Sequence, residues 1–425
     1  MKTFDIKISD FCKTGSGGTP LTNQKSIFYG GNIPWVKSGE LIDEVLNSTE
    51  ESLTEKGLKE SSAKWIKKGA VLVAMYGATV GRTAYLSIDA TTNQAICHII
   101  PDSRIADGKY IWFFLRSKFR DLINSRVGGA QPNINQGIIK NIKIKLPSLT
   151  EQKHIVEILD QADSLRKKRA EADKLAERII PALFYDIFGD PIKLMNSDES
   201  VPIKLLDIEI QNGFACGQKD VKDGVPHLRM NNIDDLGILN LDLVRTVPIK
   251  YKKHKYMLSN GDILFMSTNS EDKIGKTCVF YEESNKEYLF SNHLTRLRIK
   301  DRCISPEYLS TYLHILWKKR YYPSIAKRWV NQATVSNDAL KNLKIFIPDD
   351  VKNKEFIKIY KSIYEMQKDR IKSSNTINTL FSTLLYKAFT GNLTAKWREA
   401  HMQELLQEME IQAQYLKKNP SQDLP

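Results

Sequence analysis

The sequence predicts an α+β protein built from two tandem copies of one unit, and three observations lead to this class. An internal repeat spans most of the 425 residues. Both copies mix short β-rich runs with segments of helical spacing. Each copy also ends in a long stretch with one apolar seam, which is typical of a long helix that packs against a partner.

The repeat is clearest over residues 131–147 and 332–348, which align without a gap at an offset of 201 residues, the separation of Pro147 and Pro348. Chance similarity rarely keeps one register this long, and a fixed register is the sign of a duplicated structural unit. Upstream the register shifts through loops, with Pro34 opposite Pro226 and Asn93 opposite Asn292. We therefore predict globular parts at 1–147 and 191–348, long helices at 148–190 and 349–391, and a helical tail at 392–425.

Each globular part contains both kinds of secondary structure. Val71–Gly77 and Ile263–Asn269 are β-rich runs, while Lys109–Ile123 and Pro306–Tyr322 have helical spacing. Each part is therefore predicted to be α+β.

The long helices are predicted from apolar residues that recur three and four positions apart. Pro181 should kink or end the first helix, because proline cannot donate to the carbonyl of the preceding turn. Arg169 and Arg370 are charged seam positions in the same register, and they either fix the alignment of the helices or extend their charges to solvent. The predicted seam comprises Ile155, Ile158, Leu165, Arg169, Ile179, Leu183, Phe356, Ile359, Ile363, Met366, Arg370, Leu380 and Leu384.

Charge and composition narrow the class of partner. Lys and Arg number 63 against 50 Asp and Glu, and the sequence pI is about 9.2, which favours a polyanion such as nucleic acid. No stretch approaches the ~18 apolar residues of a membrane span. The N-terminus carries Asp5 and Asp10 where a signal peptide needs an apolar core, so we expect a cytoplasmic protein.

The sequence shows no catalytic or metal-binding motif. The five cysteines are scattered and are expected to be free, buried thiols, and Cys97 with His98 cannot supply a zinc site. The GKT at Gly275 lacks the upstream glycine of a phosphate-binding loop, and there is no dinucleotide fingerprint, methyltransferase Asn-Pro-Pro-aromatic motif or nuclease carboxylate cluster. We therefore predict no catalytic residue, no metal and no cofactor in this chain.

Several strings, in order and spacing, carry a resemblance to a known family. They are GSGGTP at Gly15–Pro20, NIPWVKSGEL at Asn32–Leu41, GATVGRTA at Gly77–Ala84, TNQAI at Thr92–Ile96, the run Gly128–Leu159 and FTGNLTAKWRE at Phe389–Glu399. Together with the duplication, they resemble the specificity subunits of type I restriction-modification enzymes. The second copy departs from the pattern, since CGQKD at Cys216–Asp220 replaces the glycine-rich string.

The resemblance implies that each globular part is a target recognition domain for one half of an interrupted DNA site. It implies that the two long helices pack antiparallel, like a coiled coil, set the gap between the half-sites and dock two methyltransferase subunits, with motor-nuclease subunits joining them. S-adenosylmethionine, ATP and magnesium would then belong to those partners. The bases recognised, the spacer length and the methylated adenine do not follow from the sequence, nor does the role of the tail.

Readout of DNA needs side chains with paired donors and acceptors for base edges, and cations for phosphates. The polar loop residues of both copies fit this need, although each could equally be a solvated loop residue. Glycines Gly15, Gly17 and Gly18 either admit a phosphate or form plain turns. The candidates are Lys13, Thr14, Ser16, Thr19, Lys37, Ser38, Tyr76, Thr79, Arg82, Asn93, Gln94, Gln131, Asn133, Lys219, Arg229, Asn231, Asn232, Asn269, Lys276, Asn292, His293, Asn331 and Gln332.

A basic and aromatic cluster in the second copy is either a backbone-binding surface or an ordinary solvated face. It comprises Lys250, Lys252, Lys253, Lys255, Trp317, Lys318, Lys319, Arg320, Tyr321, Tyr322, Lys327, Arg328 and Trp329.

Two other classes stay open on the sequence alone. One is a methyltransferase or nuclease whose motifs are not recognised. Catalytic turnover by the pure chain would favour this class. The other is a coiled-coil adaptor protein, which would show no sequence preference in the assembled complex.

Overall fold

The computed structural model describes residues 4–126, 133–218, 220–241, 244–282, 286–300 and 303–417. The chain forms two compact units, the first from Met1–Lys168 with Asn375–Pro425 and the second from Arg169–Ser374. Each unit therefore contains one globular part together with segments of both long helices. The boundary between the units falls inside the helices, not at their ends.

The helices range from single turns to one of 40 residues. In chain order they are α1 Lys25–Phe28, α2 Glu55–Lys59, α3 Gly108–Ser117, α4 Phe119–Asn124, α5 Gln136–Lys140, α6 Leu149–Ala176, α7 Ile179–Phe188, α8 Pro191–Met195, α9 Pro306–Lys318, α10 Asn337–Asn342, α11 Asp350–Phe389, α12 Ala395–Ala400 and α13 Met402–Lys417.

The strands are short, and the longest that the structure describes has 8 residues. They are β1 Phe4–Lys7, β2 Cys12–Ser16, β3 Tyr29–Val36, β4 Glu44–Leu46, β5 Glu51–Leu53, β6 Val71–Ala74, β7 Thr83–Leu86, β8 Thr91–Thr92, β9 Ile96–Pro101, β10 Lys143–Leu146, β11 Val201–Pro202, β12 Ile208–Asn212, β13 Val225–Leu228, β14 Arg245–Val247, β15 Ile263–Met266, β16 Thr268–Asn269, β17 Thr277–Val279, β18 Leu289–Phe290, β19 Leu294–Ile299, β20 Lys327–Arg328, β21 Ala333–Thr334 and β22 Lys344–Ile345.

The first unit is organised around a five-stranded sheet in the order β2-β9-β6-β7-β4. Central strand β6 is buried along its whole length, and Tyr110, Trp112 and Phe113 of α3 are buried in the same core. A smaller sheet, β5-β3-β8, pairs β3 with β8 in parallel, and β1 pairs with β10. The core therefore lies between the large sheet and α3.

The second unit repeats this plan, except that its large sheet, as far as the structure describes it, has four strands and no counterpart of β4. Its sheets are β12-β19-β15-β17, β14-β13-β18 with β13 and β18 parallel, and the pair β11-β22. A further sheet, β16-β21-β20, belongs to this unit, and the corresponding stretch of the first unit includes residues 127–132, which lie outside the described residues. The repeated topology confirms the α+β class and the duplication.

Individual hydrogen bonds are duplicated as well. Lys7 donates its Nζ to Asn141 Oδ1 at 2.9 Å, and Lys204 donates its Nζ to Asn342 Oδ1 at 2.8 Å. Asn141 and Asn342 are separated by the 201 residues of the sequence repeat. The offset of 201 residues found in the sequence therefore also relates equivalent positions of the two structures at Asn141 and Asn342.

Pro181 explains the break between α6 and α7. The helix ends at Ala176 and resumes at Ile179, and Pro181 has no N–H for the carbonyl of Glu177, four residues before it. The predicted interruption is confirmed. Helix α11 has no internal proline and runs unbroken for 40 residues.

Within the second unit the two long helices run antiparallel. Asp173 Oδ1 lies 3.0 Å from Arg370 Nε, and Gln367 Nε2 donates to the carbonyl of Ala176 at 3.3 Å, so rising numbers on one helix meet falling numbers on the other. Asp173 Oδ1 also lies 3.0 Å from Arg169 Nε, and Arg169 Nη2 donates to the carbonyl of Arg370 at 2.9 Å. The carboxylate pairs with both cations without being aligned for a hydrogen bond to either Nε.

The predicted seam is wrong at four positions. Leu165, Ile179, Met366 and Leu380 are 65%, 45%, 68% and 56% exposed, although Ile155 and Phe356 are buried as predicted. In the second unit, the buried line on α11 instead runs through Phe356, Tyr360, Tyr364 and Gln367. The predicted seam missed Tyr360 and Tyr364 because tyrosine carries a polar group, although its ring can be buried like any other aromatic ring.

The tail packs on the first unit. Arg398 Nη2 lies 2.6 Å from Glu151 Oε1, a carboxylate that is fully buried at the start of α6. Trp397 stacks on His154 with ring centroids 4.5 Å apart. The tail therefore neutralises a buried charge of this unit.

Two predicted absences concern the described part of the chain. No helix there is long and apolar enough to cross a membrane, and no group of three or more His, Cys, Asp and Glu side chains could hold a metal ion. Cys12, Cys97 and Cys278 are buried as expected, whereas Cys216 is half-buried and Cys303 is exposed, so the expectation of burial is wrong for these two. Burial raises the pKa of the Cys97 thiol to about 12, so that thiol stays protonated.

Candidate nucleic-acid interface

In the first unit, a parallel strand pair gathers polar residues. Strands β3 and β8 run parallel, with Val36 opposite Thr92, so their carboxyl ends meet at one edge of the sheet. Lys37 and Ser38 follow β3, while Asn93 and Gln94 follow β8. The Asn93 N–H donates to the carbonyl of Val36 at 3.0 Å and ties the two loops together.

Two further loops join this edge. The hydroxyl of Thr79 donates to the carbonyl of Ser38 at 2.6 Å, and the Ile134 N–H donates to the carbonyl of Met75 at 2.8 Å. The side chains of Thr19 and Gln94 are also hydrogen-bonded. We call the gathered residues the first loop cluster: Thr19, Lys37, Ser38, Tyr76, Thr79, Asn93, Gln94 and Asn133.

The cations around the first loop cluster already have acidic partners. Lys37 Nζ lies 2.8 Å from Glu50 and 3.3 Å from Glu51, and the hydrogen bond to Glu50 raises the pKa of Lys37. Arg82 Nη1 lies 2.6 Å from Asp43. A phosphate or base contact by these cations would have to replace those ion pairs.

Lys13, Thr14 and Ser16 lie along edge strand β2 of the large sheet, and Thr14 accepts a hydrogen bond from Gln136. The neighbouring glycines are packed against their own chain. A Cβ at Gly17 would lie 1.9 Å from the carbonyl oxygen of Thr92, and one at Gly15 would lie 2.5 Å from His98 Nε2. These contacts favour close internal packing over phosphate binding as the reason for the glycines.

The second unit builds the same edge from β13 and β18. Leu228 lies opposite Phe290 in a parallel pair, and the Ser291 N–H donates to the carbonyl of Leu228 at 2.9 Å. The carbonyl of His293 accepts from the Ser267 N–H at 3.0 Å, which brings the end of β15 and Asn269 to the same place. We call these predicted residues the second loop cluster: Arg229, Asn231, Asn269, Asn292 and His293.

The strand pairs correct one alignment made from the sequence. Thr92 and Phe290 occupy the same position in the two parallel pairs, so Asn93 corresponds to Ser291 and Gln94 to Asn292. The sequence alignment was therefore off by one residue here. In the corrected register the amide of Asn292 corresponds to that of Gln94, and Ser291 takes the place of Asn93.

Arg229 has the electrostatics expected of an anion-binding residue. Among the described residues, no ion pair joins its guanidinium to a carboxylate, and its Nε is buried without a hydrogen-bond partner. Burial, and then the positive charge of Arg245, lower the pKa of Arg229. A phosphate or a guanine edge would satisfy this side chain.

Two predicted contacts are corrected by their burial. Asn232 is fully buried, with Oδ1 accepting from the Arg229 N–H at 2.8 Å and Nδ2 donating to the carbonyl of Asn240 at 2.8 Å. Lys276 is 7% exposed and pairs with Asp235. Both side chains hold the fold together and do not present themselves to a duplex.

The hairpin of β20 and β21 carries Asn331 and Gln332, which are both exposed. Asn269 lies opposite Ala333 in the same small sheet, so the hairpin borders the second loop cluster. Gln131 and Lys219 lie outside the described residues.

The predicted basic and aromatic cluster divides among three elements. Lys250, Lys252, Lys253 and Lys255 lie in the segment 249–256, where the intervening Tyr251 and Tyr256 pack on Phe214, with Tyr251 stacked at 5.0 Å between ring centroids. Tyr322 is fully buried and donates to the carbonyl of Leu313, so its place in a surface cluster is wrong. The remaining members lie at the end of α9 and on the β20–β21 hairpin, where Trp329 is 68% exposed.

The comparisons with known proteins agree with this architecture. The family model described as type I restriction modification DNA specificity domain matches residues 1–175 and again 217–380. The chain is 24% identical over 388 residues to the type I restriction enzyme StySPI specificity subunit of Salmonella potsdam, covering 86% of this chain and 83% of that one. It is 23% identical over 388 residues to the EcoKI specificity subunit of Escherichia coli strain K12, with the same coverage.

A solved structure shows the same fold. The type I restriction-modification system S subunit from M. genitalium superposes with a TM-score of 0.55 at 14% identity, covering 92% of this chain and 96% of that one. Because the two family matches take up most of the sequence and fall on the two repeated units, this chain belongs to the type I restriction-modification DNA specificity domain family and carries two copies of that domain.

Proposed function

We propose that this chain is the DNA sequence-recognition subunit of a type I restriction-modification enzyme. Each globular part reads one half of a bipartite, interrupted target, and the helices set the gap between the halves. The first half-site is read by the first loop cluster and the second by the second loop cluster.

One observation carries the proposal most strongly. The same parallel strand pair, β3 with β8 and β13 with β18, gathers amides, hydroxyls and cations at one edge of each unit. Amide side chains and arginine present the donor and acceptor pairs that discriminate base edges in the major groove. Two diverged copies of one reader are what an asymmetric, two-part target requires.

Catalysis, in this proposal, belongs to partner subunits. Two methyltransferase subunits would dock on the chain and bind S-adenosylmethionine, while motor-nuclease subunits that use ATP and magnesium would join that assembly. The net charge of +13 supports DNA as the partner, and the localisation that belongs to this proposal is cytoplasmic. The family membership supports a specificity role, and an enzyme with unrecognised motifs or a coiled-coil adaptor are the rival proposals.

A domain exchange tests the proposal directly. Residues 1–147 are replaced with the corresponding part of a relative whose target is mapped, and adenine methylation is mapped by long-read sequencing in cells carrying the assembled system. We expect one half of the methylated motif to change and the other half to stay. A motif changed in both halves contradicts the modular reading.

The rivals give different results in the same system. If the chain were an adaptor, methylation by the assembled system would show no sequence preference. If it were an enzyme, the pure chain would modify or cut DNA when supplied only with S-adenosylmethionine or magnesium.

A further inference from the structure

The β20–β21 hairpin of the second unit has a rigid base. The Val335 N–H donates to the carbonyl of Ser267 at 2.9 Å, and the hydroxyls of Thr268 and Thr334 lie 3.2 Å apart across the β16–β21 pair. Ala333 is fully buried and Val335 is 2% exposed. The hairpin is therefore held firmly where it leaves the globular part.

Its tip is apolar and unprotected. The Trp329 N–H donates to the carbonyl of Gln332 at 2.7 Å and closes a tight turn. Trp329 is 68% exposed and Val330 is 99% exposed. Single exposed apolar residues are ordinary, but a tryptophan and a valine together at the end of an anchored hairpin form a feature that contributes nothing to the core.

The surroundings of the tip suit a nucleic acid. Lys327 and Arg328 precede it, with Arg328 Nε 2.9 Å from Glu271, and the exposed amides of Asn331 and Gln332 follow it. A two-stranded ribbon fits a groove of B-form DNA. The tip has a single hydrogen-bonding side-chain group, the indole N–H of Trp329, and the rest of its surface is apolar. That apolar surface can enter the stack between two base pairs, as the apolar wedges of DNA-bending proteins do.

The two copies differ at this place. By the offset of 201 residues, Trp329 and Val330 correspond to Gly128 and Gly129. Glycine has no side chain with which to enter a base stack. A wedge formed by the hairpin would therefore act in one half-site only.

We propose that the Trp329–Val330 tip is an apolar wedge that inserts into the base stack of the half-site read by the second unit. This inference rests on the proposed function, since it assumes that the second unit reads DNA. The wedge unstacks one base step, and that step contributes to specificity through its ease of deformation.

The test uses the full chain assembled with its methyltransferase subunits and duplexes of the mapped target carrying 2-aminopurine at single positions. Unstacking raises the fluorescence of this base analogue. The analogue is kept away from the adenines that the methyltransferase subunits flip out for methylation, and from their neighbours, because base flipping brightens it as well. At the remaining positions we expect one step in the second half-site, and none in the first, to brighten on binding. The double variant Trp329→Gly with Val330→Gly, which copies the residues of the first unit, should abolish the signal and weaken target binding about tenfold, because the stacking of the aromatic ring on a base is lost. Trp329→Phe should retain the signal.

Trp65, which is 48% exposed in the first unit, supplies the matched control, and Trp65→Ala should leave the signal unchanged. A double variant with weaker binding but an undiminished 2-aminopurine signal overturns the wedge in favour of a groove contact such as a thymine methyl. Loss of assembly with the methyltransferase subunits overturns it in favour of a protein contact. If the wild-type complex shows no sequence preference at all, the proposed function itself fails, and the wedge with it.

Discussion

At the scale of single residues, corresponding positions of the two units differ in how free their charges are. Lys37 and Arg229 both follow the first strand of the parallel pair, and both N–H groups are fixed by a side chain three residues on, from Glu40 at 2.7 Å and from Asn232 at 2.8 Å. Lys37 is engaged by Glu50 and Glu51, whereas Arg229 has no such partner among the described side chains. The backbone hydrogen bond at this position is therefore the same in both units, whereas the ion pairing of the side chain differs.

This difference predicts unequal effects of two matched substitutions. Arg229→Ala should weaken binding of the cognate target by about 1–3 kcal/mol and relax the motif in the second half-site only, because a bidentate contact to a base is lost. Lys37→Ala should affect the first half-site only, and less, because Lys37 must first leave its glutamates. Methylome mapping with binding measured at one salt concentration checks both. Relaxation of the wrong half-site by either variant would reject the assignment of the loop clusters.

A buried ion pair of the first unit gives a stability prediction. Asp163 and Arg116 are both 6% exposed at the side chain and lie 3.0 Å apart. Burial acts to raise the pKa of Asp163, but the hydrogen bonds and charges of Arg116 and Arg166 outweigh burial and lower that pKa. Asp163→Asn should therefore destabilise the first unit by about 3–5 kcal/mol, because it leaves Arg116 buried without its counter-charge.

The pH dependence follows from the lowered pKa of Asp163. The carboxylate contributes stability that is fully present above its unfolded pKa of ~3.9 and is lost as the pH falls through the lower folded value. Urea unfolding should thus show a large difference between wild type and Asp163→Asn at pH 7 that shrinks in acid. The double variant Arg116→Met with Asp163→Leu should cost less than Asp163→Asn, and a greater cost would contradict this account.

At the scale of elements, the long helices are shared between the units. Arg116 and Arg166 both lie 5.1 Å from the ring centroid of Phe381 in the first unit, while Asp173 joins Arg169 and Arg370 in the second. A charged group in a helix contact is costly when misplaced, so Asp173 favours one register of α6 against α11. These contacts support the role in alignment that the sequence suggested for the two arginines.

Lengthening both helices together tests whether they set the gap in the target. Four residues inserted after Glu171 and four after Lys372 keep the pairing of Asp173 with Arg370 and add about 6 Å at 1.5 Å per residue. The gap in the methylated motif should lengthen by about two base pairs at 3.4 Å each, with both half-sites unchanged. Lengthening α6 alone is the control and should disrupt assembly. An unchanged gap after the double insertion would show that the helices do not set it.

At the scale of the whole molecule, each unit depends on chain from the other end of the sequence. The first unit takes Phe381 and Ala388 of α11 into its core and Arg398 of the tail onto Glu151. By the offset of 201 residues, Ile180 and Ile187 correspond to Phe381 and Ala388. A fragment ending at Gly189 therefore lacks these partners but carries corresponding apolar residues of its own.

We predict that the fragment 1–189 forms a symmetric dimer in which each copy completes the other. With methyltransferase subunits it should select an inverted repeat of the first half-site. Sedimentation and methylation mapping measure both outcomes. A fragment that stays monomeric at micromolar concentration, or a dimer that selects the original asymmetric motif, would refute this.

Glu151 provides a second test of the dimer of fragment 1–189, because the fragment has no residue that corresponds to Arg398. Glu151→Gln should strengthen the fragment dimer by removing a buried charge without a partner, and the same substitution should destabilise the full chain, where Arg398 is left unpaired.

The sequence by itself determined the duplication, the α+β class and the break at Pro181, and it supplied the candidate residues from which the two loop clusters are defined. These depend on local periodicity, on proline geometry and on loop polarity, which can be read along the chain. Only the tertiary structure decided that Asn232 and Lys276 are buried, that α11 buries Phe356, Tyr360, Tyr364 and Gln367 in the second unit, and that the unit boundary lies within the helices. The physical reason is that burial and ion pairing depend on which distant segments meet, and residues such as Asp235 and Arg398 lie far along the chain from the groups that they neutralise.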